Sequence, residues 1–290
     1  VNIHIVTTAY NLPGATRTLV DSIMETMGDA DQATIHLFQH SMFQEISETC
    51  ADLELLYPRN VRLYSPLGRR YTQTREGQAL AQDLGFGTNR GLARSWNDGI
   101  ITAWADGADA VLVVNDDVKF GPAAIEALAR KSVECDRRNH IITCCGWHEE
   151  FEKIDGIGYS CFAITKPGFA LLGCFEENLF PIYWEDIEFG TRAEKMGMYQ
   201  GTAGDLNLSH GGSTHLKTGL HKQKVHDRNK LTQTANEEYY LRKWGAPPDE
   251  KSKQYAVPFN DKRFGLYIHP HCAGRPYPGY DRIDRHLVTI

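Results

Sequence analysis

Hydrophobic positions along the chain follow two periods, and the switches between them mark out the elements. Asn2-Ile-His-Ile-Val-Thr-Thr8 alternates and predicts a first strand. Leu19, Val20 and Ile23 fall at helical spacing and predict a helix over 15–27, with Gly28 as its stop. A strand over 34–39, a helix over 43–55 and a short strand over 61–64 follow. Leu92, Trp96, Ile100 and Trp104 recur every fourth residue, which predicts a helix over 89–104 in which Gly99 allows close packing. The run Val111–Val114 is apolar without alternation, as in a strand covered on both faces. Beyond it the pattern predicts a helix over 123–135, strands over 141–145 and 158–165, and a short helix over 166–172. A helix over 184–196 stopped by Gly197, an extended stretch over 198–208 and a polar helix over 222–244 complete the series. Up to residue 145 strands and helices alternate, which predicts an α/β fold with a mostly parallel sheet flanked by helices. The segment 65–88 resists this reading. Its residues 76–83 suit a helix, and Arg69, Arg70 and Arg75 suit either phosphate contacts or a solvated loop.

Composition narrows the classes. A chain of 290 residues, 41% hydrophobic and 23% charged, suits one large globular domain or a domain with an appendage. The net charge of -6 argues against a nucleic-acid-binding protein. No apolar run reaches membrane-spanning length and no leader-like segment opens the sequence, so no membrane span and a cytoplasmic location are expected. The seven cysteines include no C-x-x-C pair and lie mostly in apolar surroundings, as reduced core thiols do.

Three stretches carry candidate chemistry. At the C-terminal end of the strand over 111–114 stand Asn115, Asp116 and Asp117, at the edge where ligands bind open α/β sheets. Two adjacent carboxylates there repel and lose hydration unless a cation or hydrogen-bond donors meet them. A divalent metal carrying a phosphorylated ligand is one compensator. A solvated turn that caps the helix starting near Pro122 is the bland alternative. The second stretch, Phe180–Arg192, opens a helix with Glu185 and Asp186 behind Tyr183 and Trp184, with Arg192 two turns on. A carboxylate fixed at a helix N-terminus beside aromatic walls suits a general base; a capping pair with a surface salt bridge is the alternative. The third is Leu208-Ser-His-Gly-Gly-Ser-Thr-His215, where Gly211-Gly212 lets the backbone approach a phosphate, Ser213 and Thr214 donate, and His210 suits a metal. The basic run after it, from Lys217 to Lys230, faces either a diphosphate or acidic acceptor, or solvent. His269-Pro-His271-Cys272 has metal-ligand residue types but no second ligand group at a recognisable spacing.

The order of these pieces resembles that of the GT-A glycosyltransferases of family 2, and within them the rhamnosyltransferase-type and spore-coat-type branches. The match runs over residues 2–245. It rests on Thr8-Ala9-Tyr10-Asn11 after the first strand, Asn89-x-Gly91-x-x-Arg94-x-x-Asn97-x-Gly99 on a helix, Asn115-Asp116-Asp117, Trp184-Glu185-Asp186 with Arg192, and His210-Gly-Gly-Ser213. The resemblance implies a GT-A (Rossmann-like) fold with a C-terminal helical and irregular extension. It implies a hexosyltransferase in which 1–146 binds the nucleotide sugar, 147–245 the acceptor, and 246–290 forms a tail. Thr8, Ala9 and Tyr10 would frame the base; Arg90, Arg94 and Asn97 would lie near base and phosphates. Asp116 would contact the ribose or sugar side, and Asn115 and Trp184 would also bind the nucleotide sugar. Asp117 and His210 would hold Mn²⁺ or Mg²⁺. Asp186 would be the catalytic base with Glu185 beside it. The implied donor is a UDP, dTDP or GDP sugar, and the implied acceptor a glycan, a lipid-linked group or a protein. Two departures stand out: the acidic triplet begins with the uncharged Asn115, and Phe38-Gln39-His40-Ser41 lacks the family's base-reading Asp. A sugar-phosphate nucleotidyltransferase and a non-catalytic carbohydrate-binding homologue remain as alternatives.

Overall fold

In the computed structural model the described residues are 1–27, 33–41, 43–65, 91–136, 141–144, 159–198, 200–203, 206–211, 217–220 and 222–260. The chain begins with β1 (Ile3–Ala9), α1 (Pro13–Thr26), β2 (Ala33–Gln39), α2 (Gln44–Leu56) and β3 (Val61–Tyr64). It continues with α3 (Leu92–Ala105), β4 (Ala110–Asn115), β5 (Val118–Phe120), α4 (Ala124–Asp136), β6 (Ile141–Cys144) and β7 (Cys161–Ile164). Then come α5 (Lys166–Leu172), α6 (Glu185–Lys195), β8 (Gln200–Thr202), β9 (Leu208–His210) and α7 (Lys222–Trp244).

Seven strands form one sheet in the order β3-β2-β1-β4-β7-β6-β8. The pairs β1–β2, β1–β4, β2–β3 and β6–β8 are parallel, whereas β7 runs antiparallel to both β4 and β6. Thus β7 is inserted between β4 and β6, a placement that strand-helix alternation does not signal. The stretch over 198–208 splits into β8, at the edge of the main sheet, and β9, which pairs with β5 as a separate two-stranded ribbon.

Each central strand divides its side chains between two cores. Ile3, Ile5, Leu112 and Val114 face α1, α2 and α4, packing with Leu19, Ile23, Leu53, Ile125 and Leu128. Val6, Val111 and Val113 face α3, α5 and α6, packing with Trp96, Ile100, Leu172, Phe175 and Phe189. All of Val111–Val114 is buried, as its unbroken apolar run predicts. Gly99 is the contact point of α3 with β1 and β2: a methyl group there would run into both Val6 methyls and the Phe38 ring. Cys50, Cys135, Cys161 and Cys174 are buried thiols. Residues 246–260 fold back on α7 through Tyr255 N to Trp244 O at 2.7 Å and the Tyr239–Phe259 ring contact.

On the α3 side of the sheet, away from the strand ends that carry the acidic motif, His4 Nδ1 and His36 Nε2 share a hydrogen bond of 2.8 Å, and His36 Nδ1 meets the Tyr64 hydroxyl at 2.9 Å. Asp106 lies beside them with Arg62 on its carboxylate. Burial pushes the His36 imidazole down to about 3, with His4 and Arg62 adding to the effect; burial also lowers His4. Both rings are therefore neutral in the folded state near neutral pH. A histidine whose folded value lies below its unfolded one contributes stability that is intact above the unfolded value and is lost as pH falls below about 6.5. The slope reaches about 1.4 kcal/mol per pH unit for each such ring. Chemical denaturation between pH 7 and 4.5 is expected to show this loss, reduced in His36→Gln; equal slopes in the two proteins would contradict it.

Candidate active site

The turn between β4 and β5 carries Asp116 and Asp117, and neither is solvated. Asp116 is 2% exposed, and its Oδ2 accepts a hydrogen bond of 3.2 Å from Thr16 Oγ1 on α1. Its carboxylate thereby takes part in the packing of α1 against the strand end. The bland reading of a solvated, helix-capping turn is corrected, because burial of both carboxylates requires partners. The partner of Asp117 comes from the β5–β9 ribbon. Val118 pairs with His210 in that ribbon, Gly211 N donates to Asp117 O at 2.9 Å, and His210 Nε2 stands 3.1 Å from Asp117 Oδ1. Two residues 93 positions apart, each expected to hold a metal, thus come into contact at the end of β4.

The other motifs converge on the same edge. Thr8 at the end of β1 pairs in register with Asn115. Ala9 is buried and Tyr10 half-buried against Phe43. Asn11 Nδ2 donates to Leu220 O, and Leu220 N to Asn11 O at 2.8 Å, which ties the loop after β1 to the segment that follows His210. In place of the missing acid after β2, Gln39 is buried with its amide on Ser41 O and Ser47 Oγ, and His40 meets Ser95 Oγ at 2.5 Å.

Helix α6 brings the acids of the second stretch. Asn115 N donates to Ser160 O at 2.8 Å, and the neighbouring Tyr159 is held above its usual value by burial and by the charge of Asp186. This link sets the start of α6 beside the end of β4. Glu185 is 4% exposed, and its Oε2 has no hydrogen-bond partner among the described residues. Burial pushes its carboxyl well above the usual carboxylate range, and the charge of Asp186 adds to the shift. Asp186 is less buried; one oxygen accepts from Ile187 N at 2.8 Å, and desolvation raises its carboxyl as well. Trp184 caps the helix in a left-handed conformation and packs on Tyr240 with ring centroids 5.1 Å apart.

Three further residues of these motifs have partners within the protein. Asn97 is spent on the protein: it donates to Phe175 O and Glu177 Oε1 and accepts from Phe175 N at 2.8 Å, clamping α3 to the 175–177 loop. Arg94 lies on α3 with Asp98 at 4.0 Å and Glu177 nearby, inside an acidic cluster. Arg192 is buried rather than part of a surface salt bridge. It pairs with Glu188 at 2.9 Å and donates to Leu172 O and Cys174 O. Glu188 also meets Lys243 at 2.7 Å, and Lys243 meets Glu176 at 2.7 Å, so four fully buried charges join α6, α7 and the 174–178 loop. The expectations for Arg90, for Ser213 and Thr214, for the three arginines at 69–75 and for His269–Cys272 fall outside the described residues. The exposed lysines 217, 222 and 230 follow the solvated reading of the basic run.

Sequence reasoning missed the β5–β9 ribbon, although Val118-Lys-Phe120 and Leu208-Ser-His210 both alternate. It also missed Thr16, Asn236 and Lys243, for which a single sequence carries no local signal.

No protein-family model matches the chain, and no curated protein matches it. Among solved structures it is similar to a mannosyltransferase from Pyrobaculum calidifontis in complex with GDP-Man and Mn²⁺. That likeness has a TM-score of 0.53 at 15% identity, over 87% of this chain and 67% of that one. It is also similar to S. aureus TarS 1-349 in complex with UDP, with a TM-score of 0.43 at 15% identity, over 67% of this chain and 55% of that one. No helix among the described residues is long and apolar enough to cross a membrane. The central sheet and its flanking helices are those of the GT-A glycosyltransferase fold.

Proposed function

We propose that this protein is a metal-dependent, inverting glycosyltransferase of the family 2 type, acting in the cytoplasm on a nucleoside diphosphate sugar. The observation that carries the reading is the contact of Asp117 with His210 at 3.1 Å, held by the β5–β9 ribbon at the end of β4. The donor set fits a divalent cation: one buried carboxylate and one imidazole leave positions for phosphate oxygens, as Mn²⁺ and Mg²⁺ sites on nucleotides require. When bound, such a cation neutralises charge that develops on the leaving diphosphate. Asp117 and His210 would hold it, and Thr8, Ala9 and Tyr10 would border the nucleotide. Residues 1–245 would act as the transferase unit.

Asp186 is the base. Its side chain is less buried than that of Glu185, and Ile187 N fixes one of its oxygens at 2.8 Å. The acceptor hydroxyl attacks the anomeric carbon, the new C–O bond forms as the bond to the diphosphate breaks, and the hydroxyl proton passes to Asp186. Glu185, held above the usual carboxylate range, keeps its proton more readily and adds little repulsion to the ionised Asp186. Attack from the face opposite the leaving group inverts the configuration at that carbon.

The reaction is tested by proton NMR of products from a panel of GDP, UDP and dTDP sugars with Mn²⁺. Inverted glycoside, or inverted free sugar, together with a nucleoside diphosphate supports the reading. Retained configuration contradicts inversion, and release of pyrophosphate or a nucleoside triphosphate would mark a nucleotidyltransferase instead.

A further inference from the structure

Tyr183 and Trp184, which stand immediately before Glu185 and Asp186, have φ of 79° and 76°. Consecutive non-glycine residues in the left-handed region persist only where their surroundings over-determine them. Neither Tyr nor Trp has the short polar side chain that lets Asn or Asp settle there by local hydrogen bonds. The support comes from α7. Asn236 is 3% exposed and spends its side-chain amide on the backbone of this turn. Its Nδ2 donates to Ile182 O and to Tyr183 O, each at 3.0 Å, and its Oδ1 accepts from Phe180 N at 3.2 Å. Both amide protons and the carbonyl are thus committed to three residues of one loop. The same helix adds Asn229, which hydrogen-bonds the Tyr183 side chain, and Tyr240, whose ring packs on Trp184 and whose hydroxyl meets Thr191 on α6 at 2.7 Å. From the other side Pro181 O accepts from Leu92 N at 2.8 Å, which ties the turn to the start of α3.

The geometry points to Asn236 as a positioning residue: it holds the 180–184 turn in its left-handed form and thereby sets where the Asp186 carboxylate stands. This rests on the reading of Asp186 as the base. Without the two donated hydrogen bonds, carbonyls 182 and 183 lose their partner, the turn relaxes toward ordinary backbone angles, and the first residues of α6 rotate with it. A misplacement of about 1 Å at a reacting group costs about 10²-fold in rate. The residues proposed to hold the cation and border the base, Asp117, His210 and Thr8 to Tyr10, lie on other elements, so the donor KM is expected to change less than kcat.

The test compares wild type with Asn236→Ala and Asn236→Asp. Asp keeps an acceptor for Phe180 N but cannot donate when ionised, and it carries the comparison if the Ala variant fails to fold. Crystal structures give the turn, and release of nucleoside diphosphate from GDP-mannose, UDP-glucose and dTDP-rhamnose with Mn²⁺, water serving as acceptor, gives kcat and KM. The expected result is a displaced Asp186 carboxylate, with kcat lower by about 10²-fold and donor KM within about threefold of wild type. A turn that superposes on wild type overturns the inference, as does a displaced turn with unchanged kcat. If wild type releases no nucleoside diphosphate from any donor, the transferase reading falls, and the crystal comparison by itself decides whether Asn236 holds the turn.

Discussion

Replacing Asp186 by Asn is expected to lower kcat by about 10²–10⁴-fold while leaving the affinity for nucleoside diphosphate within about threefold of wild type. The substitution keeps size and the hydrogen bond from Ile187 N, so α6 retains its start. What is lost is a group that can take the proton of the attacking hydroxyl. Glu185 cannot replace it, because it is sealed from solvent and held in its protonated form more strongly. The pH profile gives the same assignment a second reading. Burial raises the Asp186 carboxyl above the usual Asp value near 3.9, so turnover falls as pH drops through that raised value and is full above it. An Asp186→Asn variant that keeps wild-type kcat would remove Asp186 from the chemistry.

The largest stability effect is expected at Lys243. Its ammonium stands 2.7 Å from both Glu176 Oε2 and Glu188 Oε1, and all three side chains are fully buried. Tyr239 and Asn178 add hydrogen bonds to Glu176, and Arg192 holds the far side of Glu188. Lys243→Met keeps the volume of the stem but leaves two buried carboxylates facing each other without their shared cation. Breaking a buried pair from one side costs about 3–5 kcal/mol, a large part of the total stability of an ordinary domain. Chemical denaturation checks this, and a loss below about 1 kcal/mol would show that water or rearrangement compensates the carboxylates. Because the network binds α7 to α6, the same variant is expected to loosen the turn that Asn236 holds.

The elements were legible in the sequence wherever burial is periodic and local. The spans of α1, α3 and α6 follow their apolar spacing, α7 coincides with the predicted polar helix, and β4 follows from its unbroken apolar run. Pairing was not legible. Nothing in Cys161–Ile164 says that it runs against β4, and nothing in three-residue β5 and β9 says that they find each other across about ninety residues. The candidate site divides in the same way. Asp117, His210, Glu185 and Asp186 were marked by residue type and motif order; the structure sets His210 against Asp117 and buries Glu185. Asp116 and Asn97 were marked by the same signals yet point into protein, since a motif fixes a position along a strand or helix but not the partner each side chain meets. Asn236 and Lys243 sit in a helix whose sequence is polar almost throughout; their burial depends on the groups they face rather than on any periodicity of their own.

The most direct measurement is calorimetric titration of GDP, UDP, dTDP, CDP and AMP, with and without Mn²⁺, into wild type and Asp117→Ala. The account predicts that one nucleoside diphosphate binds wild type in the presence of Mn²⁺, more weakly without it, and that Asp117→Ala loses the metal-dependent part. Binding that is indifferent to Mn²⁺ and unchanged in Asp117→Ala, or no nucleotide binding under any condition, would contradict the assignment of the Asp117–His210 pair as the metal and diphosphate site.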